Sequence, residues 1–236
     1  MPVRIGFDMD GVLADFATAF REVETGLFGA SSAMAAEAPE VEAQQEEAAG
    51  SAQADAASAT PRELRRRRDA IWSAIHDTPD FWTTLKPHDP DAVRRIHDMM
   101  IRYGWEVFFI TQRPSTVGET VQRQTQRWLH RQGFDLPSVL VISGSRGAAA
   151  GALRLDYHVD DSPQNCLDVV SDSRARPILI VPEPDEVTEN SAKRLRIAVA
   201  RSIGEALHAL DRVAGGGREE TPRLLNKLSR MVGWKT

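Results

Sequence analysis

Polar residues that could do chemistry follow four short apolar runs, each at the point where a predicted strand ends. Taken singly, each is an ordinary feature, because acids near turns usually cap helices and a Thr at a strand end is usually a turn residue. Together they would crowd one edge of a parallel sheet, where ligands of such sheets bind. Converging carboxylates would repel each other unless a metal ion and an anionic substrate lay among them. The residues are Asp8 and Asp10, Thr111, the Ser143 to Arg146 segment, and the Asp160-Asp161 pair.

The elements that would position these residues alternate between strand and helix. Helical patterns separate the predicted strands, which indicates right-handed βαβ units and a parallel sheet covered on both faces. We also expect one long amphipathic helix over residues 189 to 213. The predicted strands span residues 3 to 8, 105 to 111, 138 to 143, 156 to 160 and 177 to 181.

Between the first and second strands lies a segment with its own helix signals. Asp15 can cap a helix that begins near Phe16, and Thr60 with Glu63 forms a capping box with Pro at the first helical position. Residues 30 to 60 contain 13 Ala and six acidic residues. Low hydrophobicity and uniform negative charge favour a mobile insert or a loosely held helix there.

These patterns predict three parts of the chain. Residues 1–15 and 86–213 would form an α/β core, and residues 16–85 a small helical cap that contains the Ala/Glu insert. Residues 214–236 would form a Gly-rich hinge and an amphipathic tail, which is a candidate contact for the domain itself or for a second copy of the chain.

Bulk composition excludes several classes of protein. The chain has 236 residues and a net charge of −5, which gives no reason to expect binding to long nucleic acids. The lone Cys166 cannot form an intramolecular disulfide, and the first residues lead directly into a strand pattern, so we expect a cytoplasmic protein. Apolar runs fall short of the ~20 residues that a membrane helix needs.

The motifs resemble a known family. The segments GFDMDGVLADF, FFITQRP, SGSRG and YHVDDSPQNC are similar to the four ordered motifs of the haloacid-dehalogenase (HAD) superfamily. The DMDGVLADF form, together with FWTTLKP and QTQRWL, looks like the cytosolic 5'(3')-deoxyribonucleotidases. The resemblance implies a three-layer, Rossmann-like α/β core with a small helical cap inserted after the first motif.

The resemblance also implies the chemistry. Asp8 would attack a phosphate monoester and form an aspartyl-phosphate, and Asp10 would protonate the leaving oxygen and then deprotonate the attacking water. Mg²⁺ would be held by Asp8, the main-chain carbonyl of Asp10 and the Asp160-Asp161 pair, with Asp161 as a direct ligand and Asp160 either a direct ligand or one that acts through a bound group.

Further residues would hold the substrate. Thr111 and the amides around Gln112 would bind a phosphoryl oxygen. Arg146 is the only cation in the third motif, where the family usually has Lys, so the sequence departs from the pattern there. The aromatic residues Phe16, Phe81 and Trp82 match positions that surround a nucleotide base, although ordinary core packing explains them about equally well.

Three functions fit this pattern. The leading one is a nucleoside monophosphate phosphatase. A second keeps the chemistry but takes a sugar phosphate or another small monoester, because the motifs specify phosphate and not base. The third is a weakly active homologue that binds nucleotide or a protein partner. The presence of Asp10 favours an enzyme over a binder.

Overall fold

A computed structural model describes residues 2–29 and 60–215 of the protein. The chain first forms strand β1 (Arg4–Asp8), followed by helices α1 (Phe16–Phe28) and α2 (Pro61–Asp77) and a 3₁₀ turn at Phe81–Thr83. The remaining elements are α3 (Ala92–Tyr103), β2 (Glu106–Thr111), α4 (Val121–Arg131), β3 (Ser138–Val141), α5 (Arg146–Leu153), β4 (Tyr157–Asp160), α6 (Pro163–Asp172), β5 (Arg176–Ile180), α7 (Glu186–Arg194), β6 (Ala198–Ala200) and α8 (Ile203–Gly215).

The six strands form one parallel sheet in the order β3-β2-β1-β4-β5-β6. The α/β fold class predicted from the sequence is therefore confirmed. The strand order reverses at β1, whose neighbours are β2 and β4. In an open α/β sheet such a reversal leaves a crevice at the carboxyl ends of the strands. Asp8, Thr111 and Asp160 are the last residues of β1, β2 and β4, so the sheet brings them to that crevice.

Local helix signals in the sequence are reproduced. The Asp15 side chain accepts a hydrogen bond from the Thr18 amide at 3.0 Å and caps α1. The capping box at the start of α2 is complete, because Thr60 and Glu63 each satisfy the other's backbone amide. Such caps satisfy amides that the helix itself leaves without partners.

The predicted single helix over residues 189 to 213 is wrong. Helix α7 ends at Arg194, the chain turns through Arg196 at a φ of 61°, and β6 then adds a sixth strand beside β5 before α8 begins. The intervening segment is rich in Arg, Leu, Ile and Ala, which are compatible with a continuous helix. Pairing of Ala198–Ala200 with β5 overrides that propensity, and a three-residue strand is too short to show its own periodicity.

Helices α1 and α2 and the 3₁₀ turn stand where the helical cap is predicted. Their aromatic residues belong to the same continuous hydrophobic cluster as β1, β2 and α8. The division into core and cap stays a prediction. Most of the Ala/Glu insert and the tail beyond Gly215 lie outside the described residues. Within the described part of the chain, no helix is both long and apolar enough to cross a membrane.

Candidate active site

The turn after β1 is built tightly around Gly11. Gly11 has a φ of 84°, and its amide donates to the carbonyl of Ala14 at 3.0 Å. A Cβ on residue 11 would lie 1.8 Å from Oδ2 of Asp161, so the Asp161 carboxylate is packed against this turn. The first and fourth motifs are thus in direct contact.

Arg146 joins the third motif to the same place. It is the first residue of α5 and is only 2% exposed. Its guanidinium donates to the carboxylate of Asp8, and its Nε lies 3.5 Å from Oδ2 of Asp160. Arg146 is therefore a buried cation between two of the predicted site carboxylates, and it does not face solvent.

Asp160 is fixed by three further contacts. Nε2 of His158 lies 2.8 Å from its Oδ2, while the Ser162 amide and the Asn165 side chain donate to Oδ1 at 2.9 and 3.2 Å. The sequence alone indicates no role for His158, because the histidines have no metal-ligand spacing. Its position two residues before Asp160 puts both side chains on one face of β4, and that alternation was the available signal.

Burial and charge act in opposite directions on the two buried acids. Burial raises the pKa of Asp8 well above its ordinary value, Arg146 lowers it, and the neighbouring carboxylates raise it again. Burial also raises the pKa of Asp160, but the hydrogen bond with His158 and the charge of Arg146 outweigh burial, so the net shift is downward. Asp160 is thus stabilised as an anion, whereas ionised Asp8 depends on nearby positive charge.

Asp10 is held by a residue that sequence reasoning missed. Arg113 donates from Nε and Nη2 to the two carboxylate oxygens of Asp10, at 2.8 and 2.7 Å. Arg113 stands in the FFITQRP segment, two residues after Thr111. Both residues follow the ends of neighbouring strands, Asp10 after β1 and Arg113 after β2, and that placement was the signal that could have found the pair.

Thr111 and Gln112 lie on the opposite side of the crevice from Asp160. Thr111 is 1% exposed, and its carbonyl accepts a hydrogen bond from the amide of Ile142. Nε2 of Gln112 donates to the carbonyl of Gly144 at 2.7 Å and so ties the second motif to the third. Their predicted phosphate contacts stay predictions.

The three aromatic residues predicted to surround a base are buried together. Phe16 and Phe81 are each 4% exposed and Trp82 is fully buried. Phe16 also stacks on Trp72 with ring centroids 5.5 Å apart. The ring of Trp82 faces the guanidinium of Arg113 at 4.8 Å. The described arrangement is core packing that reaches the site through Trp82, and a role in base binding stays a prediction.

The metal site predicted at these acids has suitable donors. Asp8, Asp160 and Asp161 supply the carboxylate oxygens that Mg²⁺ prefers, and Asp160 and Asp161 both act electrostatically on Asp8. Within residues 2–29 and 60–215, however, no three Asp, Glu, His or Cys side chains are grouped as a finished metal site. Arg146 already contacts Asp8 and approaches Asp160, so part of the positive charge that the carboxylates need comes from the chain itself.

Two clefts lie at the opposite edge of the sheet. Their volumes are about 310 and 1030 Å³, and both are lined by Val3, Asp156 and Arg174, which precede β1, β4 and β5. These clefts are at the amino ends of the strands, away from the motif residues.

We compared the chain with known protein families, curated sequences and solved structures. No protein-family model and no curated protein sequence matches the chain. Solved structures do match. A haloacid dehalogenase-like hydrolase from Streptococcus pneumoniae is 12% identical with a TM-score of 0.52, over 89% of this chain and 98% of that one. A hydrolase from Pseudomonas syringae is 14% identical with a TM-score of 0.53, over 90% and 99%. A phosphonoacetaldehyde hydrolase-like protein from Oleispira antarctica is 11% identical with a TM-score of 0.52, over 94% and 96%.

These likenesses define the class of fold. The chain has the Rossmann-like α/β fold of the HAD-like hydrolases, as its motifs predict. At such low identity the likeness concerns architecture, and the activity has to be argued from the site residues.

Proposed function

We propose that the protein is a phosphomonoester hydrolase that works through an aspartyl-phosphate on Asp8, and that nucleoside monophosphates are its substrates. The observation that carries this proposal is the buried contact between Asp8 and Arg146 at the carboxyl edge of the sheet. A nucleophilic carboxylate facing a fixed cation suits an anionic substrate, because the cation neutralises phosphoryl oxygens as well as the nucleophile.

Asp8 and Asp10 have different environments, which supports different roles. Asp8 is enclosed, faces Arg146 and ends its strand, so it would attack phosphorus and carry the phosphoryl group. The Asp10 side chain is 9% exposed and is oriented by Arg113. It would give its proton to the leaving oxygen and then take one from the water that hydrolyses the intermediate.

The remaining residues would bind and orient the phosphate. Thr111 would donate its hydroxyl to a phosphoryl oxygen, and Gln112 would hold the neighbouring loop at Gly144. Asp8, the carbonyl of Asp10, Asp160 and Asp161 would hold Mg²⁺. When bound, that ion would neutralise negative charge on the phosphoryl group.

A screen of purified protein tests the proposal. Nucleoside 5'-monophosphates, deoxynucleoside 5'- and 3'-monophosphates, hexose phosphates and p-nitrophenyl phosphate would be assayed with Mg²⁺ for phosphate release, with Asp8→Asn as the blank. We expect the deoxynucleotides to show the highest kcat/KM. Preference for a hexose phosphate would instead support the sugar phosphatase, and release from none of the esters would support a binding protein.

A further inference from the structure

Arg113 makes an unusually complete set of contacts around Asp10. Its side chain is fully buried, and its two bonds to the Asp10 oxygens leave from Nε and Nη2, which form one edge of the guanidinium. Parallel bonds of this kind fix both the position and the plane of a carboxylate. A single donor, or a point charge such as Lys, would leave the carboxylate free to rotate.

Arg113 is itself held from two other elements. Its Nη1 donates to the hydroxyl of Thr125 on α4 at 3.0 Å. Its guanidinium also lies over the Trp82 ring, and Trp82 is anchored by its Nε1, which donates to the Pro114 carbonyl at 2.9 Å. The plane of the Asp10 carboxylate is therefore set by a chain of contacts that begins in α4 and the 3₁₀ turn.

We propose that Arg113 is a positioning residue that aims the Asp10 carboxyl at the leaving oxygen of the substrate. The inference rests on the proposed hydrolase function. Each Asp10 oxygen keeps a further lone pair beyond the one that Arg113 uses, so proton transfer remains available while the group is held. General acid catalysis needs the donor within about 2.6–3.2 Å of its target, and free rotation of a carboxyl group would lose that alignment.

The proton balance shows which step would depend on Arg113. In the first step an oxygen of Asp8 bonds to phosphorus, the bond from phosphorus to the leaving oxygen breaks, and the Asp10 proton moves to that oxygen. In the second, water bonds to phosphorus, the bond to Asp8 breaks, and a water proton returns to Asp10. An alkyl leaving group needs the first proton, whereas p-nitrophenolate departs as a stable anion.

A comparison of the two leaving groups therefore distinguishes a loss of Asp10 positioning from a general loss of activity. Because kcat/KM covers only the steps through phosphoenzyme formation, it would be measured for p-nitrophenyl phosphate and for whichever alkyl ester the wild type hydrolyses fastest. We expect Arg113→Ala to lower kcat/KM for the alkyl ester at least ~50-fold, which is about half of the smallest typical general-acid effect, and for the aryl ester less than about threefold. Millimolar guanidinium should restore part of the alkyl ester activity.

Two further variants keep the test decisive. Arg127→Ala is the matched control, because Arg127 also pairs with carboxylates, but these are Asp80 and Glu119 rather than Asp10. Both esters should react normally in this variant. Thr125→Val removes only the Nη1 partner and should lower the alkyl ester rate about 3- to 10-fold, a fraction of a general-acid effect, without affecting the aryl ester. This variant decides the question if Arg113→Ala does not fold.

Equal losses on both esters in Arg113→Ala and in Thr125→Val would overturn the positioning role and leave the hydrolase function intact. A wild-type protein that hydrolyses neither ester would overturn the proposed function and the role of Arg113 with it.

Discussion

The guanidinium of Arg146 donates a hydrogen bond to the carboxylate of Asp8, although the two residues are 138 positions apart in the chain. Asp8 is the last residue of β1, and Arg146 is the first residue of α5. Both are buried, so the pair is not screened by water. Substitutions of Arg146 can therefore test whether it does the work expected of a Lys in the third motif.

Replacing Arg146 should affect catalysis strongly. Arg146→Ala should lower kcat/KM at least ~100-fold, because a cation facing the phosphoryl group in a dry site is a large electrostatic contribution. Arg146→Lys should keep much of the activity, with a change in KM. Steady-state kinetics on the best ester would measure both. Arg154→Ala, at the exposed end of the same helix, is the control. An Arg146→Ala enzyme within twofold of wild type would exclude the catalytic role and favour a weakly active binder.

The two acids of the first motif should fail in different ways. Asp8→Asn should form no phosphoenzyme and no product, because it removes the nucleophile. Asp10→Asn should slow turnover by at least ~100-fold, as loss of a general acid and base does, and still bind substrate. Acid-quench trapping of the phosphoenzyme, combined with phosphate release, would distinguish the two. Normal turnover by Asp8→Asn would refute the mechanism.

Gly11 should tolerate no side chain. Gly11→Ala would place a Cβ 1.8 Å from Asp161 Oδ2 at a φ of 84°, so both the turn and the Asp161 carboxylate would have to move. The left-handed conformation alone costs about 1–2 kcal/mol for an L-residue, so we expect a lower melting temperature together with loss of activity.

Gly26→Ala is the matched control for that change. Within the described part of the chain, a Cβ at residue 26 would meet no atom within 4 Å apart from the neighbouring backbone of its own helix, at an exposed position in α1. Ala should stabilise the helix there by roughly 0.5–1 kcal/mol and leave kinetics unchanged. Equal behaviour of the two variants in thermal melts and assays would show that the turn is not constrained by Asp161.

Metal dependence follows from the carboxylates around Asp8. EDTA should abolish hydrolysis and Mg²⁺ should restore it, while Ca²⁺ should substitute poorly because its coordination is larger and looser. Asp161→Asn should raise the Mg²⁺ concentration needed for half-maximal rate, and titration of activity against free Mg²⁺ would measure that shift. Full activity in excess chelator would contradict the prediction.

The Asp15 cap should give α1 a pH-dependent stability. Burial raises the pKa of Asp15, but hydrogen bonds from Thr18 outweigh burial, so the folded-state pKa lies below the unfolded value. The resulting stabilisation is fully present above the unfolded-state pKa of about 3.9, and it is lost as the pH falls through the folded-state pKa.

Two substitutions at Asp15 separate the cap from the charge. Asp15→Ala should cost about 1 kcal/mol at neutral pH, and the cost should shrink as the pH falls below the unfolded-state pKa of about 3.9. Asp15→Asn keeps a capping oxygen but loses the charge, so its stability at neutral pH should lie between those of wild type and Asp15→Ala. Urea unfolding at several pH values would measure the differences, and an Asp15→Ala cost that did not change with pH would rule out the charge.

The sequence by itself determined the features that depend on near neighbours or on strand ends. The Thr60 and Asp15 caps involve residues three apart, and five strands show as apolar runs, four of which lead into polar residues. The order of the motifs then placed Asp8, Thr111 and Asp160 at one edge, because every parallel strand presents its carboxyl end on the same side.

Only the tertiary structure decided the contacts between distant elements. Arg113 and Asp10 are 103 residues apart, and their pairing depends on β1 and β2 being neighbours in the sheet. Strand β6 has three residues with no periodicity of their own, and it exists because β5 offers an edge. Whether Arg146 faced solvent or Asp8 was likewise undecided by local pattern, since the direction of one long side chain at a helix start is set by the charges that surround it in the fold.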